Sequence, residues 1–266
     1  MFPFTSPSHA GPTPQMRASN RIGSTRFTET VIRQPMETDV VLSSGFLAFA
    51  RQTGVLSAVE DSALQVGGVC GTSSGALAGA LWCAGHSATT IAEKLSAQTP
   101  LSLLRPGLHV WRGLFSMGAV LEQLRQWIPP RFEDLERPFA VGVMGPKGEP
   151  RLLFEGPLPE AVAASCAIPW LFQPIELDGV LYRDGGAVDR TAVKGWRAWR
   201  GKRPTVLHLV ERTGGAVAKE GSIPDDLCVI RTAKSDARFW NLGDFDRQHT
   251  EAYACAREAL MNSANG

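Results

Sequence analysis

The stretch LQVGGVCGTSSGALAGALWCAG, residues 64–85, decides the fold and carries the most distinctive motif of the chain. Its first part is an apolar run typical of a buried strand. Its last part is apolar on nearly every side, as expected for a helix at the centre of a core. Two serines lie between glycines where the two parts meet. The pattern therefore predicts a tight strand-to-helix turn that contains a serine.

Segments with strand and helix patterns alternate on both sides of this stretch. Residues 38–44 and 205–211 are short apolar runs typical of buried strands, and residues 47–61 have helical spacing. The runs show little polar alternation, which fits a sheet that is covered on both faces. The alternation therefore predicts an α/β domain with a mainly parallel sheet.

Composition excludes several classes of protein. The chain has 266 residues, 44% of them hydrophobic and 20% charged, which is typical of a globular domain. A formal net charge of +1 provides no chain-wide field for nucleic acid, so no nucleic-acid partner is expected. No apolar run approaches the ~20 residues of a membrane span. The five cysteines, an odd number without a CxxC motif, indicate free thiols in a reducing compartment, as in a cytoplasmic protein.

The first 37 residues differ from the rest in composition. They are rich in Pro, Ser, Thr and Gly and have too little apolar surface to order themselves. We therefore expect a disordered tail over residues 1–37, followed by one domain over residues 38–266. Arg and Ser in the tail leave an organelle transit peptide open as an alternative.

The serine turn has three interpretations. A phosphate-binding loop fits the strand-to-helix context, but the chain lacks the Lys-Ser/Thr ending and the spacing of the known glycine fingerprints. In the second interpretation, the small residues only allow a strand and a helix to pack closely where they meet. The third is a nucleophile elbow of the form G-x-S-x-G, running from Gly71 to Gly75 with Ser73 at its centre. Side chains two residues before and after such a serine would collide, and both positions here are glycine.

A serine hydroxyl needs a base, and none of the five histidines has a motif around it. His208 lies within a predicted strand and His249 near a predicted helix start, so a triad hydrolase is a distant alternative. Asp184, in YRDGGAVD (residues 182–189), is the carboxylate candidate. Asp-Gly-Gly also forms a good turn by itself. Its place at a strand end, however, suits a site, and burial would make Asp184 a better proton acceptor.

With these pieces in order, the chain resembles the patatin-like phospholipases. The resemblance covers residues 38–190 and rests on GTSSG (71–75), on DGG (184–186) and on the lead-in AASCAIPWLFQPIELDGVLYRDGG (163–186). It implies a three-layer α/β/α sandwich with a mainly parallel sheet. It also implies that Ser73 is the nucleophile and Asp184 the base, without histidine. The motif glycines are then Gly71, Gly75, Gly185 and Gly186.

A third family motif, the glycine-rich oxyanion loop, is altered. The matching stretch is LSSGFLAFARQTGVL (42–56), in which only Gly45 is retained and Ala48 occupies the usual basic position. The resemblance implies that the backbone N–H groups of Gly45 and Phe46, with that of Ser74, form the oxyanion hole. If Phe46 needed a positive φ, this hole would be strained. The family's usual Asn-Pro is replaced here by Arg190-Thr191.

The resemblance implies a serine acyl hydrolase of the lipase, phospholipase A or lysophospholipase type. It would act through a Ser-Asp dyad and an acyl-enzyme on lipid or lysophospholipid esters, without a metal or an organic cofactor. Transient contact with a membrane surface would suit such a substrate. The alternative is a non-catalytic lipid-binding or regulatory relative with a weakened oxyanion loop. A pocket wall formed by Trp170 to Phe172 and core packing of these residues are equally compatible with the sequence.

Overall fold

The computed structural model describes residues 37–97, 102, 104–107, 113–212 and 223–264. The predicted disordered tail lies outside the described residues except for its last position, so it stays a prediction.

The strands form one large and one small sheet. In chain order they are β1 (Thr38–Leu42), β2 (Val66–Thr72), β3 (Arg105–Pro106), β4 (Phe115–Ser116), β5 (Phe139–Met144), β6 (Pro150–Leu153), β7 (Ile175–Leu177), β8 (Val180–Asp184), β9 (Thr205–Val210) and β10 (Cys228–Thr232). The large sheet has the order β10-β9-β1-β2-β5-β8-β7, with β6 also paired to β5. Strands β3 and β4 form the small antiparallel sheet.

The large sheet is mainly parallel, as predicted. Strands β10, β9, β1, β2 and β5 run in one direction. The hairpin strand β6 and the strand β8 are antiparallel to β5, and β7 is antiparallel to β8. The type of sheet follows from the pattern of short apolar strands joined by helices.

Helices cover both faces of this sheet. They are α1 (Phe49–Glu60), α2 (Ser74–Cys83), α3 (Ala88–Ser96), α4 (Gly118–Trp127), α5 (Leu158–Ser165), α6 (Val193–Arg200) and α7 (Phe245–Ala264). Val40 and Leu42 point into a large core formed with most of the helices. Val41, between them, points into a smaller core with Trp196 of α6. The alternation of β1 thus separates two helical layers, and the predicted α/β/α arrangement is confirmed.

The parallel strands place three loops at one edge of the sheet. Ser43 follows β1, Ser73 follows β2, and Glu211 follows β9. Strand β8 enters from the opposite direction and ends at Asp184, which lies opposite Val143 of β5. Side chains that are far apart in sequence therefore meet at this edge, the usual location of sites in open α/β sheets.

Candidate active site

Ser73 lies in a strained turn between β2 and α2. Its φ of 54° and ψ of −119° are unusual for a residue other than glycine. The turn packs tightly against its own backbone and against the backbone at the end of β1. A Cβ atom on Gly71 would lie 2.4 Å from the carbonyl oxygen of Gly75, and one on Gly75 would lie 2.3 Å from that of Leu42. Both positions therefore exclude any larger residue.

The hydroxyl of Ser73 donates a hydrogen bond to Asp184. The distance from Ser73 Oγ to Asp184 Oδ2 is 2.7 Å, and Asp184 Oδ1 accepts the N–H of Gly186 at 2.7 Å. Asp184 is 5% exposed. Burial raises the pKa of its carboxyl to about 6, while the hydrogen bonds from Ser73 and Gly186 and the charge of Arg212 act in the opposite direction. A carboxylate with such a pKa can accept a proton near neutral pH.

The two glycines after Asp184 pack against other parts of the site. A Cβ atom on Gly185 would lie 2.4 Å from the carbonyl oxygen of Gly142, and one on Gly186 would lie 2.7 Å from Cβ of Ser44. The Asp-Gly-Gly segment thus packs closely against β5 on one side and against the loop after β1 on the other. These contacts constrain it more than a simple turn requires.

No histidine of the described residues contacts Ser73. His208 is buried between Gln52 and Thr232, and burial lowers its pKa to about 3. His249 bonds to Ser57, and His86 bonds to the carbonyl oxygen of Trp127. His9 and His109 lie outside the described residues. Among the described side chains, Asp184 is thus the base candidate that touches the serine.

Ser165, at the end of α5, braces the serine turn from a distant part of the chain. Its Oγ accepts the backbone N–H of Ser73 at 2.9 Å and donates to the carbonyl oxygen of Gly142 at 2.7 Å. The neighbouring Cys166 lies close to Ser73 but is no rival nucleophile. Burial raises the pKa of its thiol well above the usual range, so the thiol stays protonated. No sequence pattern singled out Ser165, although it lies within the family-like lead-in.

The loop from Ser43 to Ala48, called loop 43–48 below, follows β1 and holds the predicted oxyanion donors. Within the described part of the chain, the backbone N–H groups of Gly45 and Phe46 have no hydrogen-bond partner. The N–H of Ser74 begins α2, where a helix offers its own N–H groups no internal partner. The positive φ of the loop, 47°, belongs to Leu47 and not to Phe46. The strain considered for Phe46 therefore lies one residue later.

Arg190, in the segment between β8 and α6, holds loop 43–48. The N–H of Ser44 donates to the carbonyl oxygen of Arg190 at 2.8 Å. The buried guanidinium of Arg190 returns two bonds, one to the carbonyl oxygen of Ser44 at 3.2 Å and one to that of Val210. The Ser44 carbonyl and the Gly45 N–H share one planar peptide group and point in opposite directions. Arg190 therefore orients the Gly45 N–H as well.

Gln52, one turn into α1, supports the same loop from within the core. Its Nε2 donates to the carbonyl oxygen of Ser43 at 2.8 Å and to Ser74 Oγ at 3.3 Å. Ala48, at the family's basic position, is fully buried and provides no charge. The nearby Arg51 pairs with Glu251 at 2.7 Å and not with the loop. The loop is thus held by residues that no motif identified.

An apolar cavity of about 130 Å³ opens beside Ser73. Its lining is mainly aliphatic and aromatic: Phe46, Leu47, Phe49, Ser73, Ser74, Leu77, Lys94, Leu95, Leu104, Met117, Val120, Gln123, Leu124, Trp127, Cys166, Ile168, Phe172 and Phe239. Phe172 lines this cavity, which agrees with the interpretation of residues 170–172 as a pocket wall. Trp170 does not, because its side chain is 86% exposed at a φ of 69°. Such a lining suits a hydrocarbon chain.

Two further observations bear on the chemistry. The described residues contain no cluster of His, Cys, Asp or Glu that could hold a metal ion. None of the helices that they form has the length and apolarity needed to cross a membrane.

The sequence matches a family model described as patatin-like phospholipase over residues 40–195. Uncharacterised NTE family proteins of Mycobacterium tuberculosis and Mycobacterium bovis are 32% identical over 154 residues, which is 56% of this chain and 42% of each relative. The aligned segment thus spans less than half the length of these relatives.

Solved structures share the fold at low sequence identity. The crystal structure of VipD from Legionella pneumophila aligns with a TM-score of 0.55 at 13% identity, covering 87% of this chain and 67% of that one. ExoU in complex with SpcU from Pseudomonas aeruginosa aligns with a TM-score of 0.50 at 13% identity, covering 88% and 54%. At such identity the likeness concerns the fold alone.

Proposed function

The chain belongs to the patatin-like phospholipase family, and from that premise we propose that it is a serine acyl hydrolase that cleaves lipid acyl esters. The observation that carries the proposal is the 2.7 Å hydrogen bond between Ser73 Oγ and the buried Asp184 carboxylate. A strained turn, a carboxylate with a raised pKa and an adjacent apolar cavity support it.

In the first half of the reaction, Ser73 Oγ attacks the ester carbonyl and Asp184 accepts its proton. The tetrahedral intermediate places negative charge on the former carbonyl oxygen. The N–H groups of Gly45 and Phe46, with that of Ser74 at the positive end of α2, stabilise this charge. The intermediate collapses, the carbon–oxygen bond of the leaving alcohol breaks, and Asp184 returns the proton to that alcohol.

In the second half, water attacks the acyl-enzyme and gives its proton to Asp184. The second tetrahedral intermediate releases the fatty acid, and the proton returns to Ser73. The apolar cavity holds the acyl chain throughout, which keeps the ester against Ser73. Substrates are therefore expected among the esters of phospholipids, lysophospholipids and neutral lipids.

Labelling with a lipid-like fluorophosphonate, followed by mass mapping, tests the proposal. We expect the label on Ser73 in the wild type, none in Ser73→Ala, and labelling slowed at least about a hundredfold in Asp184→Asn, where no base remains. The adjacent serine provides a matched control, since the label in Ser74→Ala should still map to residue 73. A folded wild type that never labels would overturn the proposal.

A non-catalytic lipid-binding protein is the second candidate, and the altered loop 43–48 favours it. The family's basic position is the buried Ala48, and Leu47 adopts a strained backbone. This candidate predicts that the folded chain binds a fluorescent fatty acid in the apolar cavity while Ser73 stays unlabelled. Labelling of Ser73 together with ester turnover would exclude it.

A further inference from the structure

A polar groove of about 700 Å³ lies next to loop 43–48, and Phe46 lines both this groove and the apolar cavity. The residues that line the groove are Gly45, Phe46, Val210, Glu211, Arg212, Lys234, Ser235, Asp236, Ala237 and Arg238. The groove thus borders the same loop as the acyl cavity but differs from it in chemistry.

Positive charge exceeds negative charge in this groove. Among the described residues, none of the three lining cations Arg212, Lys234 and Arg238 forms an ion pair with a carboxylate. Of the two lining carboxylates, Asp236 already pairs with Arg247, which lies outside the lining. The groove is therefore suited to an anion.

The groove lies close to the reacting atoms. Arg212 Nη2 donates to the carbonyl oxygen of Gly186 at 3.2 Å, and the N–H of Gly186 binds the carboxylate of Asp184. The charge of Arg212 acts directly on the pKa of Asp184. Gly45, a proposed oxyanion donor, lines the groove itself. The groove therefore adjoins the residue that binds the Asp184 carboxylate and one of the proposed oxyanion donors.

From this arrangement we infer that the groove binds the phosphate of a glycerophospholipid or lysophospholipid head group. In such lipids the phosphate and the ester stand on carbons of the same glycerol unit. The acyl chain occupies the apolar cavity, the ester lies at Ser73, and the phosphate lies against Arg212, Lys234 and Arg238. Guanidinium groups bind phosphate in a bidentate way, while Lys acts as a point charge. The inference rests on the proposed function, because it places the ester at Ser73.

The first experiment compares two monomeric substrates with the same acyl chain, hexanoyl glycerol phosphate and hexanoyl glycerol. Monomers remove any contribution from a membrane surface. We expect the wild type to prefer the phosphate ester, and Lys234→Gln and Arg238→Gln each to lower that preference in kcat/KM by about tenfold. Lys147→Gln, which changes an exposed cation on the β5–β6 turn, should leave the preference unchanged. A wild type without a preference for the phosphate ester, or a preference that both groove variants keep within twofold, overturns the inference.

A binding experiment separates this inference from the proposed function. Calorimetry with Ser73→Ala needs no turnover, and we expect it to show at least tenfold tighter binding of hexanoyl glycerol phosphate than of hexanoyl glycerol. Inorganic phosphate should bind more weakly than the lipid phosphate, and equal binding would assign the groove to a free anion instead.

Selective binding without turnover of either ester in the wild type would overturn the proposed function and keep the inference about the groove. Turnover of both esters without any dependence on the phosphate would overturn the inference about the groove and keep the proposed function. If the groove variants instead lose only binding to anionic vesicles, the groove serves a membrane surface and the inference fails.

Discussion

The serine turn, Gly71–Gly75, and loop 43–48 follow neighbouring parallel strands at the same edge of the sheet, yet they are held in different ways. The turn is held mainly by contacts of backbone with backbone, which only glycine permits at Gly71 and Gly75. The loop is held by side chains from elsewhere, above all by Arg190, which lies 146 residues from Ser44.

The difference shows that two halves of one candidate site can be held by different interactions. A turn built from glycine contacts tolerates no added atom but needs few partners. A loop that has lost glycines can keep its N–H groups directed only if other groups hold its carbonyls. The comparison therefore predicts steric sensitivity in the turn and sensitivity to hydrogen-bond loss in the loop.

The largest effect is expected for Gly75→Ala. The new Cβ would meet the backbone of Leu42, so the free energy of unfolding should fall by roughly 3 kcal/mol or more, with loss of labelling at Ser73. Gly79→Ala is the matched control on the same helix. Its Cβ would lie 3.0 Å from the ring of Phe139, a side chain, and should cost less than about 1 kcal/mol. Equal losses in urea unfolding would contradict a backbone-limited turn.

Arg190→Lys tests the loop. Both carbonyl bonds come from Arg190 Nη2, which the planar guanidinium holds in a fixed direction. A lysine ammonium on its flexible chain fixes neither bond, so kcat for a short-chain chromogenic ester should fall about a hundredfold with little change in KM. The free energy of unfolding should fall by about 2 kcal/mol, because buried carbonyls lose donors. Arg125→Lys, in an exposed pair with Glu160, is the control and should change neither quantity. Loss of stability with unchanged kcat would mean that Arg190 braces the fold without directing the Gly45 N–H.

Asp184 joins the two regions, and its titration sharpens the comparison. Because the proposed base acts as a carboxylate, kcat/KM should rise with pH through about 6. The folded pKa lies above the ordinary value of 3.8, so this group stabilises the fold below that value and the contribution is lost as pH rises through about 6.

Asp184→Asn should therefore be more stable than the wild type at pH 8, by an amount on the order of 1 to 2 kcal/mol, while losing activity. The difference should disappear near pH 4. Urea unfolding at both pH values measures it. A variant less stable than the wild type at pH 8 would contradict the burial argument.

The smallest effect is expected for Ser165→Ala, which removes the one distant side chain that braces the serine turn through the Ser73 N–H. A half-buried N–H and a buried carbonyl lose a partner, so the free energy of unfolding should fall by about 1 kcal/mol and kcat severalfold. Ser165→Thr, which keeps the hydroxyl, should recover most of both. A hundredfold loss of kcat would show that the serine turn depends on distant side chains as much as the loop does.

The sequence predicted the regular part of the molecule well. Short apolar strands and a helix apolar on all sides, such as α2, leave few alternatives to a covered parallel sheet, and the fold is confirmed. The glycines and the Ser-Asp pair were located from short motifs and a family resemblance. That Ser73 and Asp184 perform catalysis stays a prediction.

The supporting contacts could not be predicted, for a physical reason. Arg190 and Ser165 meet their partners only after distant strands and helices have packed, and no local pattern encodes such a meeting. Arg190 was noticed solely as a departure from the family pattern. Trp170 fits neither of the two interpretations of residues 170–172, because an apolar residue type does not reveal that a backbone with positive φ turns the side chain into solvent.

Phe46 separates an apolar cavity from a polar groove, and under the two proposals this has an evolutionary consequence. Mutations on one side of the ring change the fit of the acyl chain, and mutations on the other change the fit of the head group. Few residues are shared, so each preference can drift without disturbing the other. Acyl-chain preference and head-group preference can therefore change independently during evolution, while Ser73 and Asp184 stay the same.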